Sequence, residues 1–339
     1  NTLRDVKPFW TNSNPANRWA DEWVHRSRTQ NSADFFDGTI MLITGGIDKY
    51  LRGVSAVSKG GVVFKSSLTG VRTDNVEFLM CLAGILNSSF FAYICLQSFS
   101  SSGIEREEAH DSEKLKIPFI LNSEISKAAT ELSSLYEKRF NHQLDENIDL
   151  IESTILNYRK KLDQIVLQAF EFSAQESDVY FYTIEYVIPQ IMRHRGFERL
   201  TEPLSIRSQI IEGYTALFFE RFNSAFEKRQ QKLAVEIHYT RQIIGLFFRL
   251  TSVDDNSTSI QWTEFEDTEM LMLLAKLGTE KVTDRLFIKK DVRGFEKDGF
   301  YIVKPNEKRL WHKAIGHLDV NEFADAMLTT GKNNTLNVR

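Results

Sequence analysis

The sequence predicts an α+β, multi-domain chain: a small mixed sheet with a long buried helix, then a central helical region, then a C-terminal α/β unit. Three observations lead there. β-rich runs separated by glycine pairs crowd residues 39–65, apolar residues recur at intervals of three and four through the middle, and strict alternation returns at Leu233, Val235, Ile237 and Tyr239. At 339 residues the chain exceeds the usual single domain, and 42% hydrophobic with 26% charged residues is an ordinary folded composition. The expected boundaries are 1–122, 123–230 and 231–339.

In chain order, a polar loop at 11–15 leads to a short amphipathic helix carrying Trp19 and Trp23 among Arg18, Arg26 and Arg28. Strands are expected at 39–44, 53–58 and 61–65, with Gly45-Gly46 and Gly60-Gly61 as tight turns. Asp74, with Glu77 three residues on, is expected to cap a helix over 75–96. That stretch is interrupted by Asn87, Ser88 and Ser89, so it reads as a buried helix and not as a membrane span. A polar loop at 98–103 and an acidic segment lead on to Ile117-Pro118.

From 123 to 169 the apolar spacing gives two amphipathic helices, and Ser173-x-x-Glu176 caps a third over 175–192. A Phe-rich helix spans 207–230. The alternation at 233–239 followed by 243–250 predicts a strand pair, 286–289 and 300–303 two further strands, and 311–328 a last helix. The tail after Gly331 is expected to be disordered. The paired aromatics at 218–219, 247–248 and 180–182 are expected in cores.

The chemistry sought is mostly absent. No Asn/Asp-Pro-Pro-aromatic run is present to hold an extruded adenine, no glycine-rich turn suits an adenosyl cofactor, and Glu-x-Lys occurs nowhere. His312 and His317 stand beside no cysteine, so no metal site is expected. Cys81 and Cys95 both lie in the apolar helix, where a small hydrophobe serves as well as a thiol; a reduced, cytoplasmic setting is expected. Arg4, Asp5 and Lys7 have no hydrophobic region behind them, and Asn1 in place of Met suggests a chain cut from something longer.

The net charge of -4 argues against a non-specific nucleic-acid coat. Distribution says more: residues 49–73 hold Lys49, Arg52, Lys59, Lys65 and Arg72 without one Asp or Glu. Strand turns carrying these, with Ser66 and Ser67, offer phosphate contacts and, through arginine, bidentate base contacts. Solvated charges on a half-exposed sheet are the competing account of the same residues.

The order of features between 36 and 119 adds to this. The strand at 39–44, then Val63-Phe64-Lys65-Ser66-Ser67, then Phe78-Leu79-x-x-Leu82-Ala83-Gly84-Ile85-Leu86-Asn87-Ser88, then Gly103-Ile104-Glu105-Arg106 and Leu115-x-Ile117-Pro118 closely resembles the target-recognition domain of large adenine-specific (N6) DNA methyltransferases. These are the type IIG-like restriction-modification enzymes and their phage-defence relatives. Leu162-Asp163-Gln164-Ile165-Val166 and Phe170-Glu171-Phe172-Ser173 resemble the helical segment after such domains. Tyr301-Ile302-Val303-Lys304-Pro305 and Arg309-Leu310-Trp311, with Asp319 and Glu322, resemble a closing segment of the family.

The resemblance implies a sequence-recognition module for double-stranded DNA, whose S-adenosylmethionine-binding methylase core lies upstream or on another subunit. It implies DNA contacts at Lys49, Arg52, Lys59, Lys65, Ser66, Ser67 and Arg72, and at Ser102 and Arg106 after the long helix. The competing expectation is a protein-interaction scaffold of a bacterial defence complex, favoured by net acidity and by the Phe-rich helix.

Overall fold

The computed structural model describes residues 5–12, 36, 38–58, 60, 62–64, 67–98, 111–141, 148–227, 230–254, 259–266, 268–269, 272, 291–296 and 298–336. The fold is α+β, and the chain divides into two compact units, Asn1–His194 and Arg195–Arg339. The expected helical region at 123–230 is thus shared between them. The short helix expected around Trp19 and the strand expected at 286–289 fall outside the described residues.

In the first unit, β1 (Val6–Lys7) pairs with β2 (Trp10–Thr11), and β3 (Ile40–Ile47), β4 (Gly53–Ser58) and β5 (Leu68–Arg72) form a sheet in the order β4-β3-β5. Both of these small sheets are antiparallel throughout; the mixed one belongs to the second unit. The unbroken apolar run of β3 is explained by cover on both faces. Ile40 and Leu42 pack with Val6, Ala56 and Leu68, while Met41 and Ile43 pack on the helix residues Leu79, Ala83 and Leu86.

Two strand expectations are corrected. Gly45-Gly46 is not a turn: β3 runs on to Ile47 through a shift in register, and the chain reverses later, around Asp48. The third strand is β5, not 61–65. Val62 and Phe64 instead pack on the sheet face, where Phe64 lies so close over Gly70 that a Cβ there would meet its ring at 2.4 Å.

The single helix expected over 75–96 is two helices, α1 (Val76–Asn87) and α2 (Ser89–Ser98), bent by 62°. Its cap is Asn75, whose side chain accepts from the Phe78 amide, and not Asp74. The break has a cause. The buried Asn87 accepts from the Ser55 amide (3.1 Å) and donates to the Ser55 and Ala83 carbonyls (2.9 Å each), which pins α1 to β4. Ser88 turns extended, and Asp163 accepts from the amide and hydroxyl of Ser89 to start α2. Gly53 and Gly84 permit the close approach: a Cβ would meet the Leu86 carbonyl at 2.7 Å in one case and Ile125 Cγ2 at 2.7 Å in the other. Among the described residues no single helix is long and apolar enough to cross a membrane, and α1 with α2 is largely buried in its own unit.

Next come α3 (Asp111–Lys114), α4 (Ser123–Phe140) and α5 (Ile148–Ala169); α4 packs on α1 and α5 on α4 through Ile125, Ala128, Leu132, Ile155, Leu162 and Val166. The expected Ser173–Glu176 capping box is present at α6 (Ala174–Tyr182). The helix then widens into a π-turn (Thr183–Val187) and finishes as α7 (Ile188–Ile191).

In the second unit α8 (Gln209–Glu227) precedes the hairpin of β6 (Gln231–Tyr239) and β7 (Ile243–Ser252). With β8 (Ile260–Glu264), β9 (Val292–Glu296) and β10 (Gly299–Pro305) they make a five-stranded sheet, β8-β6-β7-β10-β9, antiparallel except for β6 with β8. The last helix, α9 (Lys313–Leu336), continues past Gly331, where a disordered tail was expected. Tyr214, Phe218 and Phe222 of α8 and Val320 and Phe323 of α9 pack on Phe248, Phe300 and Ile302. The Phe218, Phe248 and Phe300 rings stack at 4.6 and 4.7 Å. Inside that core Asp319 accepts from Tyr214 and Lys304, and pairs with Arg293 Nη2 at 2.7 Å.

Two stability predictions follow from these buried polar groups. Asn87→Ala leaves the buried Ser55 amide without its acceptor and is expected to cost on the order of 1–3 kcal/mol, read as a lowered urea midpoint of the first unit. Asp319→Ala leaves Lys304, 3% exposed in its side chain, without a counter-charge. A loss of about 3–5 kcal/mol is expected for the second unit, against about 0–1 kcal/mol for Glu322→Ala on the same arginine.

Candidate nucleic-acid interface

The β3–β4 turn is built around one carboxylate. Asp48 Oδ1 accepts from the amides of Tyr50 (2.8 Å) and Arg52 (2.9 Å), and Oδ2 holds the Arg52 guanidinium at 2.9 and 2.8 Å. Aspartate favours such turns because its short side chain replaces a backbone acceptor. Leu51 sits in the left-handed region, φ 60°, a conformation that a branched side chain adopts at a cost. Burial offsets that cost: Leu51 is fully buried and packs with Ala92 and Ile188. His194, just past α7, donates from Nε2 to the Lys49 carbonyl at 2.5 Å, and its ring meets Tyr50 edge-on at 4.7 Å.

The outcome is a fixed turn with an exposed crest. Lys49 and Tyr50 face solvent, the latter 41% exposed, with Arg52 Cζ over the tyrosine ring at 4.5 Å and Lys49 Nζ over it at 5.0 Å. Arg193, exposed and itself left-handed at φ 48°, precedes His194 in the chain.

Below the crest lies a charged interior. Arg159 of α5 donates from Nε to Tyr136 at 2.9 Å and lies over the Phe9 and Tyr136 rings, while its Nη1 finds no hydrogen-bond partner among the described residues. Burial lowers the Arg159 pKa, and Arg52 lowers it further. Asp163, one turn along α5, is pushed above the usual carboxylate range by burial, against the hydrogen bonds from Ser89 and the charges of Arg52 and Arg159.

The expected contact residues do not gather in one place. Lys49 and Arg52 are together at the turn, and Ser67, exposed, lies at the same end of the sheet, since Leu68 pairs with Thr44. Arg72 pairs with Ile40 at the opposite end. That separation spans most of β3, roughly 20–25 Å at about 3.3 Å per residue. Lys59, Lys65, Ser66, Ser102 and Arg106 lie outside the described residues. The acid-free window is also narrower in space than along the chain: Asp48, one residue before it, neutralises Arg52, and Asp111 accepts from Thr69 beside β5.

Sequence reasoning missed Tyr50 and His194. Tyr50 carried a legible signal, an aromatic between Lys49 and Arg52 next to a turn. His194 did not, because its contact spans 145 positions of sequence. Among the described residues no three His, Cys, Asp or Glu side chains converge as metal ligands, and His312 Nδ1 accepts from the Ala314 amide at the start of α9.

No protein-family model matches this chain, and no curated protein sequence matches it. The resemblance to target-recognition domains therefore rests on the residues quoted for it.

The Asp163 shift sets a pH dependence. Its folded-state pKa is raised, so the native state holds the proton more tightly than the unfolded chain. The associated stability is fully present below the ordinary aspartate value and is lost as pH rises through the folded one. Asp163→Asn is expected to flatten that fall, read as urea midpoints across the acidic range; an unchanged pH profile would contradict the assignment.

Proposed function

We propose that this chain is a DNA sequence-recognition module of an adenine-N6 DNA methyltransferase of the restriction-modification or phage-defence type, with no methyl-transfer site of its own. In this reading the first unit meets double-stranded DNA through the β3–β4 turn. The methylase core, with its S-adenosylmethionine, is carried by an upstream segment or separate subunit.

The observation that carries the reading is the crest itself. A strained, well-anchored turn holds a lysine and an aromatic ring out to solvent beside a fixed arginine and a histidine. Backbone strain of this kind collects where a surface is used, because the fold must compensate for it. The motif order from β3 to α1 adds the family resemblance. Lys49 suits a phosphate; Arg52, already paired with Asp48, suits the turn's geometry better than a base edge.

Position within the sheet makes the reading testable. Lys49→Glu is expected to weaken duplex binding by the chain and lower the slope of log K against log salt by about 1. Arg72→Glu, at the far end of the sheet, is expected to leave both nearly unchanged. Equal effects of the two in a salt-titrated shift assay would assign the binding to overall charge and remove the turn from it.

The scaffold reading keeps the net acidity of the chain and gains one observation: Ile148, Leu150 and Leu156 of α5 are large, apolar and more than half exposed. Of the two features that favoured it in the sequence, the Phe-rich helix is lost, because Phe218 and Phe222 of α8 are spent inside the second unit's own core.

A further inference from the structure

Tyr50 is the one aromatic side chain of the turn, and the fold leaves it 41% exposed. Asp48 closes the turn, Leu51 anchors it, and Arg52 is held by Asp48, whereas Tyr50 belongs to none of the apolar clusters among the described residues. Its ring is nonetheless held in place. Arg52, immobilised by its bonds to Asp48, lies over it at 4.5 Å, and His194 meets it edge-on. Lys49, on a long flexible stem, lies over it at 5.0 Å. Arg52 is already fixed by Asp48 and the turn closes without the ring, so the fold does not require an aromatic side chain at this position.

A flat ring at the crest of a turn cannot stack on a base that is already stacked within a duplex. It can stack on one that is unpaired, since every base has a π face, and neighbouring cations then meet the phosphates on either side. We infer that the Tyr50 ring, backed by Arg52, is a stacking platform for an unpaired nucleobase, with Lys49 swinging from the ring to the adjoining phosphate. This rests on the DNA-binding reading above and adds to it a preference for strand ends, bulges or single strands over fully paired duplex.

The full chain tests it with three short DNAs of one sequence, each carrying 2-aminopurine: a single strand, a duplex in which the 2-aminopurine is unpaired, and a fully paired duplex. The wild-type chain is expected to prefer the first two and to quench their emission. Tyr50→Ala is expected to bind those two roughly ten-fold more weakly without quenching, to bind the paired duplex within about two-fold of wild type, and to be rescued by Tyr50→Phe. Should the alanine variant fold poorly, Tyr50→Leu keeps the bulk without the π face and is expected to lose the quenching. The platform is overturned if Tyr50→Ala leaves unpaired-base binding intact, or weakens all three DNAs alike. Binding to the unpaired-base DNAs that depends on Lys49 but not on Tyr50 would sink the platform alone. A wild-type chain that binds none of the three at low salt would sink the DNA reading and the platform with it.

Discussion

Asn87 commits a side-chain amide to the dry interior of the first unit, and much of that unit is arranged around where its hydrogen bonds go. β4 lies at the edge of its sheet, so the outward amide and carbonyl of Ser55 need partners that no strand supplies. Asn87 meets both, and the Phe9 amide adds a second bond to the same carbonyl. The edge is thereby closed by a helix terminus and a loop. The helix cannot also continue in line: Ser88 turns out of it, and the amide of Ser89 is met by Asp163 from α5. Three consecutive residues thus tie the sheet, the bent helix pair and α5 together, and β4 leads straight back to the turn that carries Lys49, Tyr50 and Arg52.

The same pairing decides what the basic stretch can do. Along the chain Lys49 to Arg72 is one uninterrupted positive run, but a strand advances by about 3.3 Å per residue, and an antiparallel neighbour returns the chain to where it began. β3 is the middle strand, so residues at its two ends are kept apart by its whole length. Arg72 lies beside Ile40, and Lys49 lies beyond Ile47. A window of composition adds such charges together; a register separates them. What remains at one end is small in charge and specific in shape, which moves the weight of any nucleic-acid contact from bulk electrostatics towards the geometry of a single turn.

How much of this was legible depended on range. The capping box at Ser173, the amphipathic spacing of α4 and α5 and the alternation of β6 all arise from neighbours within one or two turns, and each is found where the sequence places it. The turn was misplaced because a glycine pair was weighed above an aspartate: Asp48 satisfies two backbone amides, which Gly45-Gly46 has no side chain to do. Asn87 was noticed as a break in an apolar helix. Its role was not legible, since Ser55 lies 32 positions away. The crest was half legible: Lys49 and Arg52 were picked for their charge, while Tyr50 between them was passed over and the support from His194 could come only from the tertiary structure.

The buried ions of the second unit need a separate explanation, because Lys304, Asp319 and Tyr214 resemble catalytic machinery. Burial lowers the Lys304 pKa while Asp319 works against that, and burial with the Asp319 charge raises Tyr214 far above its ordinary value. Lys304 also donates to the Leu310 carbonyl and lies over the Tyr214 and Trp311 rings. Each member is thus bound to the others, and a lysine enclosed in this way is poorly placed to attack anything. The network joins β10 to α8 and α9, and Arg293 extends it to β9. The sheet face it borders is lined by aliphatic side chains with Phe248 and Phe300, and such non-directional apolar contacts tolerate small slides. A charged network does not tolerate them: a displaced Asp319 would leave a buried cation unpaired, at a cost of several kcal/mol. Its contribution is therefore less to net stability than to fixing one placement of the two helices on the sheet.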